Sequence, residues 1–307
     1  MSETAPAPTS NKGPRPQDLD PAALRHQARR LARAAQPPWL HAEVAGRMAE
    51  RLGYIKHQPA RVLDASPLLG ASAELLRLAY PGAEMVWHEA DAALSARAAE
   101  ARALNWWRRL RGAAPGRVEA LPARPEVELL WSNMALHACA DLPALLGAWQ
   151  ASLAVGGFVM FSCLGPDSFV ELRPLYARQG WGRPAPDWWD MHDLGDLLLQ
   201  AGFADPVMDQ QRLRLTWASP ESLLADLRAL GGNLAPTRFA GLRGRAWRAA
   251  LLAGFEGLRG ADGRLGLTLE LVFGHAFKAA PRLAVAAETR VSVAVMRAAL
   301  RGPGPSG

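Results

Sequence analysis

Strands alternating with helices over residues 56–164 predict an α/β fold with a parallel sheet. Three short apolar runs carry that expectation: residues 61–64, ending in Asp64; residues 84–88, followed by Glu89; and residues 127–132. In the third run Val, Leu and Trp adjoin, the texture of a strand covered on both faces.

In chain order, residues 1–17 are expected to be a disordered tail, with no apolar stretch of the signal-peptide kind. Residues 18–55 hold two helices: a basic one over 18–35, stopped by Pro37-Pro38, and a second over 41–52. A helix over 73–79 joins the first two strands, and Pro81-Gly82 turns the chain. A helix over 141–154, closed by Gly156-Gly157, leads to a strand over 158–163. The texture changes at Gly165-Pro166-Asp167, which opens a helix through Arg173. Residues 180–187, rich in Gly and Pro, read as a loop, and Asp190 caps a helix that ends at Gly202. Leu213, Leu215 and Trp217 alternate with Arg214 and Thr216, a half-exposed strand. Ser219-Pro220 starts another helix and Gly231-Gly232 ends it. Leu265, Leu267, Leu269, Leu271 and Phe273 repeat every second residue. Residues 165–282 therefore complete the sheet with two antiparallel strands, and residues 283–307 read as a short helix and a Gly/Pro tail.

The 307 residues are 50% hydrophobic, enough for a sizeable core in one or two domains. No apolar run reaches the roughly 18 residues of a membrane span, so no membrane role is expected. Cys139 and Cys163 suit neither a disulfide framework nor a zinc site. They read as core residues of a reduced, cytoplasmic protein, and no metal is expected. The formal charge is +6, and only Lys12, Lys56 and Lys278 are lysines. Pervasive arginine of this kind is discounted as a nucleic-acid signal. The excess is concentrated at the ends, since residues 238–307 carry 11 basic and 4 acidic side chains. A basic face there would suit an acidic partner.

The segment Val62-Leu63-Asp64-Ala65-Ser66-Pro67-Leu68-Leu69-Gly70 is a strand, an acid and a tight loop before a helix, the opening unit of a nucleotide-binding α/β domain. Glu89, just past the second strand, has the place of an acid that accepts both hydrogen bonds of a ribose diol. Ser132 and Asn133 end a buried strand at the edge where open α/β sheets bind ligands.

The strings downstream are more specific. They are Leu164-Gly165-Pro166-Asp167-Ser168, Asp190-Met191-His192-Asp193-Leu194-Gly195-Asp196, Ala201-Gly202-Phe203-Ala204-Asp205-Pro206-Val207-Met208-Asp209, Asp226-Leu227-Arg228 with Gly231-Gly232-Asn233, and Gly274-His275-Ala276-Phe277-Lys278. Together they resemble the malonyl-acyl-carrier-protein O-methyltransferases of biotin biosynthesis, over roughly residues 20–282. The resemblance implies a class I, Rossmann-like, seven-stranded sheet with a helical lid insertion. It implies S-adenosyl-L-methionine as cofactor and O-methylation of the free carboxylate of a malonyl thioester. The partner would be an acyl carrier protein or malonyl-CoA as substrate, with no nucleic acid. The cofactor set is then Asp64, Ser66, Gly70, Glu89, Leu121, Ser132 and Asn133. A carboxylate is already ionised at neutral pH, so a cation to orient it matters more than a base. Arg173, Arg228 and Arg238 are the candidates, with Arg173 ranked first because it follows the loop after the 158–163 strand.

The sequence departs from the family in three places. Class I loops carry three glycines, but here Ser66 and Leu68 occupy two of the positions. The adenine-side acid falls on Arg117, and Pro37-Pro38-Trp39 replaces a tyrosine region. The alternative reading is a non-catalytic methyltransferase-like protein that binds an acyl carrier or another pathway partner.

Overall fold

The computed structural model describes residues 18–104, 117–239 and 241–280, with side chains omitted at 101–104 and 117–118. The expected tail at 1–17 and the appendage at 283–307 lie outside the described residues. Seven strands form one sheet: β1 (Arg61–Asp64), β2 (Glu84–Trp87), β3 (Arg117–Val118), β4 (Val127–Ser132), β5 (Leu153–Leu164), β6 (Ala204–Trp217) and β7 (Leu265–Phe277). Their order is β3-β2-β1-β4-β5-β7-β6. The first five strands run parallel, and β7 lies antiparallel between β5 and β6.

Alternation along each strand divides the apolar residues between two faces. Val62, Leu129, Trp131, Phe158 and Met160 join one buried cluster with α2 (Trp39–Leu52) and α3 (Ala73–Ala79). Leu63, Leu130, Val159 and Phe161 join the other, with α5 (Leu142–Ser152) and α7 (Met191–Gln200). Both faces are covered, which explains why these strands read as unbroken apolar runs.

Local chemistry sets the helix starts. The carboxylate of Asp20 accepts from Ala22 and Ala23 at the head of α1 (Pro21–Ala32), with Pro21 in the first turn. Asp190 caps α7, and Ser219 caps α8 (Pro220–Ala229). Several elements depart from expectation. The helix expected to open at Gly165 is α6, which spans Leu172–Gln179; turns occupy 166–171. β6 begins at Ala204, well before Leu213; its pairing with β7 shifts register between Ala204 and Val207, and none of residues 204–212 is fully buried. An unexpected helix, α9 (Arg245–Glu256), buries only Leu251 and Phe255, too sparse a stripe to stand out. The alanine-rich α4 (Ala92–Leu104) also lacks a clear stripe.

The β6–β7 connection carries α8 and α9 and, with α6 and the loop before α7, forms a cap beside the C-terminal end of β5. α1 belongs to this cap as well. The Asp20 N–H donates to Leu234 O at 2.9 Å, and the Asp20 carboxylate pairs with Arg238 at 2.7 Å.

Leu269, in the middle of β7, is fully buried between two paired strands. Leu269→Ala is expected to lower unfolding stability by about 2–5 kcal/mol, read from the shift in urea midpoint at unchanged slope.

Candidate functional site

The strand order reverses at β1, which pairs with β2 on one side and β4 on the other. Loops leaving these strands diverge and open a crevice at the C-terminal edge. Asp64 ends β1, Ser132 ends β4, and Glu89 lies just past β2.

The loop after β1 is held by side chains. Ser66 Oγ donates to Asn133 O and accepts from the Asn133 N–H, both at 3.1 Å. The Asn133 amide donates to His41 O at 2.8 Å and to Gly70 O at 2.7 Å, and its oxygen accepts from Ser162 at 2.6 Å. A Cβ on Gly70 would stand 2.5 Å from Ser66 O, so only glycine lets this loop close. Asn133 and Ser66, expected as ligand contacts, thus spend their polar atoms on the protein itself. Ser66 has a bonding role that glycine could not supply.

The acids remain available. Asp64 is 2% exposed; one carboxylate oxygen accepts from the Ser66 N–H at 3.0 Å and the other has no partner. The buried Ser132 hydroxyl likewise has none. Glu89 accepts from the Leu68 N–H at 3.0 Å. Burial pushes Asp64 up to about 7. Burial, followed by the charges of Asp64 and Asp91, pushes Glu89 up to about 8. The two acids therefore share one low-dielectric neighbourhood. Leu121 packs partly buried on the apolar cluster that includes Leu63 and Val86. Three non-glycine residues with positive φ, Ala71 (54°), Met134 (54°) and Phe169 (59°), follow β1, β4 and β5. Strain of this kind concentrates at functional edges.

A cavity of about 240 Å³ lies between this edge and the cap. Leu164 and His137 reach it from β5 and from the turn after β4, while Leu224, Trp247 and Phe255 reach it from α8 and α9. The lining is mainly apolar, with a few polar groups. His137 is buried and its Nδ1 has no partner. Burial first, then neighbouring His41, hold His137 down at about 3, so it is neutral. The Trp188 indole donates to His137 O at 3.1 Å, fixing the loop before α7 over the turn.

No family model matches the chain. Malonyl-[acyl-carrier protein] O-methyltransferase of Gallionella capsiferriformans is 42% identical over 251 residues, 80% of this chain and 86% of its own. The protein of the same name from Laribacter hongkongensis is 42% identical over 253 residues, 79% of this chain and 84% of its own. The chain belongs to the malonyl-[acyl-carrier protein] O-methyltransferase family. Matches of this span take in both the parallel core and the cap. Among solved structures, the YcgJ protein of Bacillus subtilis superposes with a TM-score of 0.52 at 11% identity, covering 78% of this chain and 99% of that one. That likeness bears on the fold alone.

In this family member the three candidate arginines have different surroundings. Arg173 is exposed, donates to the carbonyl of Pro166 in the preceding turn, and does not line the cavity. It sits in the first turn of α6. Arg238 pairs with Asp20. Arg228 lines the cavity. Gln27 carried no signal in the sequence, Trp188 read there as a residue that covers substrate or, more commonly, packs the lid, and His137 closed the string after the buried strand with no role assigned. The signal at His137 was its place four residues after Asn133, in the turn leaving a buried strand.

An acid whose folded pKa stands above its unfolded value holds its proton more tightly when folded. Its contribution is complete below about pH 4 and is lost as pH rises through the folded values of Asp64 and Glu89, about 7 and 8. Unfolding stability is therefore expected to fall between about pH 4 and pH 8. Asp64→Asn with Glu89→Gln should flatten that fall in urea titrations taken across this range.

Proposed function

We propose that the chain transfers the methyl group of S-adenosyl-L-methionine to the free carboxylate of a malonyl thioester on an acyl carrier protein, masking it for the fatty-acid-type elongation of biotin biosynthesis. One observation carries the reading beyond the family name: a mainly apolar cavity, lined by the buried, neutral His137 and by Leu164 at the end of β5, lies on the same C-terminal side of the sheet where β1 and β4 end in Asp64 and Ser132.

The edge fits the cofactor. Asp64 and Ser132 present buried oxygens without partners, and Glu89 has the place of the ribose acceptor. When bound, S-adenosyl-L-methionine supplies an activated methyl group on a sulfonium. The chain supplies position and dryness. A malonyl carboxylate, with a reference pKa near 4, enters ionised, and no general base is required. Orientation alone contributes roughly 7–11 kcal/mol at best. Trp188, 7% exposed, and Phe169, with ring centroids 6.1 Å apart, help keep water from the cavity. His137 Nδ1 can offer the acyl group a hydrogen bond without carrying charge.

The non-catalytic reading rested on the lost glycines. Ser66 is instead bonded into the loop, so its presence is part of how this loop folds.

Methyl transfer to malonyl-carrier is expected, with acetyl-carrier inert because it lacks the accepting carboxylate. His137→Leu should lower kcat/KM about tenfold or more, whereas His137→Gln should retain most of the activity. Because His137 is neutral throughout, the loss should be the same at pH 6 and pH 8. Equal transfer to both carriers would sink the substrate assignment.

A further inference from the structure

Two arginines stand together at the cavity with no acid between them. Arg228, in the last turn of α8, lines it, and Arg30, in the last turn of α1, lies against Gly232, which also lines it. Glycines make the approach possible. A Cβ on Gly231 (φ 116°) would fall 2.0 Å from Gln27 Nε2, and one on Gly232 (φ 86°) would fall 3.3 Å from the Arg30 guanidinium. Neither arginine has an ion pair or side-chain hydrogen bond among the described residues. Asp226, the acid nearest in sequence to Arg228, accepts instead from the Trp217 indole at 2.8 Å. Burial, and then the charge of Arg228, pull Arg30 below the usual arginine range. Like charges gathered at a cavity without a counter-ion call for an anion from outside.

The position says which anion. Both arginines reach solvent, Arg30 with its guanidinium partly buried, whereas methyl transfer to a carboxylate needs a site closed to water. The accepting carboxylate belongs at the inner end, by His137. A carrier-bound acyl group hangs on a pantetheine arm whose other end is a phosphodiester, and that end stays at the surface. We propose that Arg30 and Arg228 form a phosphate clamp that holds the phosphate of the carrier's arm at the cavity mouth. This assignment rests on the carrier reading above, but its test does not require turnover.

The experiment is calorimetric titration of the full chain with 4′-phosphopantetheine and with pantetheine. The native protein should bind the phosphorylated form at least roughly tenfold more tightly, a difference of about 1.4 kcal/mol. Arg30→Gln and Arg228→Gln should each erase most of that preference while melting like the native chain. No preference in the native protein, or a preference that survives both substitutions, overturns the clamp. Titration with malonyl-pantetheine and acetyl-pantetheine separates the two anions. If the substitutions instead erase a preference for malonyl over acetyl, the pair reads the carboxylate and the phosphate assignment fails. A phosphate preference lost in the variants, in a protein that transfers no methyl to malonyl-carrier, would uphold the clamp and overturn the proposed reaction.

Discussion

The buried amide of Asn133 ties together the parts that meet at the site. Its two N–H groups reach the carbonyls of His41 in α2 and Gly70 in the loop after β1, and its oxygen takes the hydroxyl of Ser162 in β5. The two carbonyls decide which end of the amide is nitrogen. A helix, a loop and two strands are thereby joined through one side chain. Ser66 adds a second tie between the same loop and the Asn133 backbone. Because Asn133 and Ser162 are fully buried, each lost partner would leave a buried polar group unsatisfied, at about 1–3 kcal/mol. The loop's shape, and so the placing of Asp64 and the Leu68 N–H, follow from this arrangement.

Desolvation then sets the chemistry on either side of the tie. The same burial that raises Asp64 and Glu89 lowers His41 to about 4 and His137 to about 3. The edge is thus lined by acids reluctant to ionise and by imidazoles that stay neutral. His41 settles its own polarity through Leu69 O at 2.9 Å, whereas His137 Nδ1 has no such partner and lies on the cavity. Positive charge is kept at the mouth, on Arg30 and Arg228. An anionic substrate therefore meets charge in water and neutral hydrogen bonding inside, which suits a reaction whose acceptor arrives already ionised.

The cap is assembled from distant pieces. α1 comes from the start of the described chain, α6 from just after β5, and α8 and α9 from within the β6–β7 connection. Aromatic contacts knit them: Tyr176 meets Trp181 at 5.5 Å, Trp181 meets Trp247 at 5.3 Å, and Arg243 stacks over Phe239 at 3.8 Å. Arg243 also donates to Trp181 O, so part of the basic excess of residues 238–307 is spent inside the cap. Arg245 and Arg248 remain exposed on α9 and keep a basic face available to an acidic carrier.

What the sequence determined by itself was local. Apolar runs closed by Asp64 and Ser132, the caps at Asp190 and Ser219, and the strict alternation from Leu265 to Phe273 each depend on neighbours a few residues away, so they could be read directly. The tertiary structure decided whatever depended on groups far apart in the chain. Asn133 and Ser66 became ties because their partners lie 63–92 and 67 residues away, apart from Ser162. Arg173 lies off the cavity, bonded to the turn before α6, and Arg228 gained Arg30 as a neighbour because α1 folds against Gly231-Gly232. The same long-range packing controls pKa, since desolvation is set by the whole surrounding volume rather than by the adjoining residues.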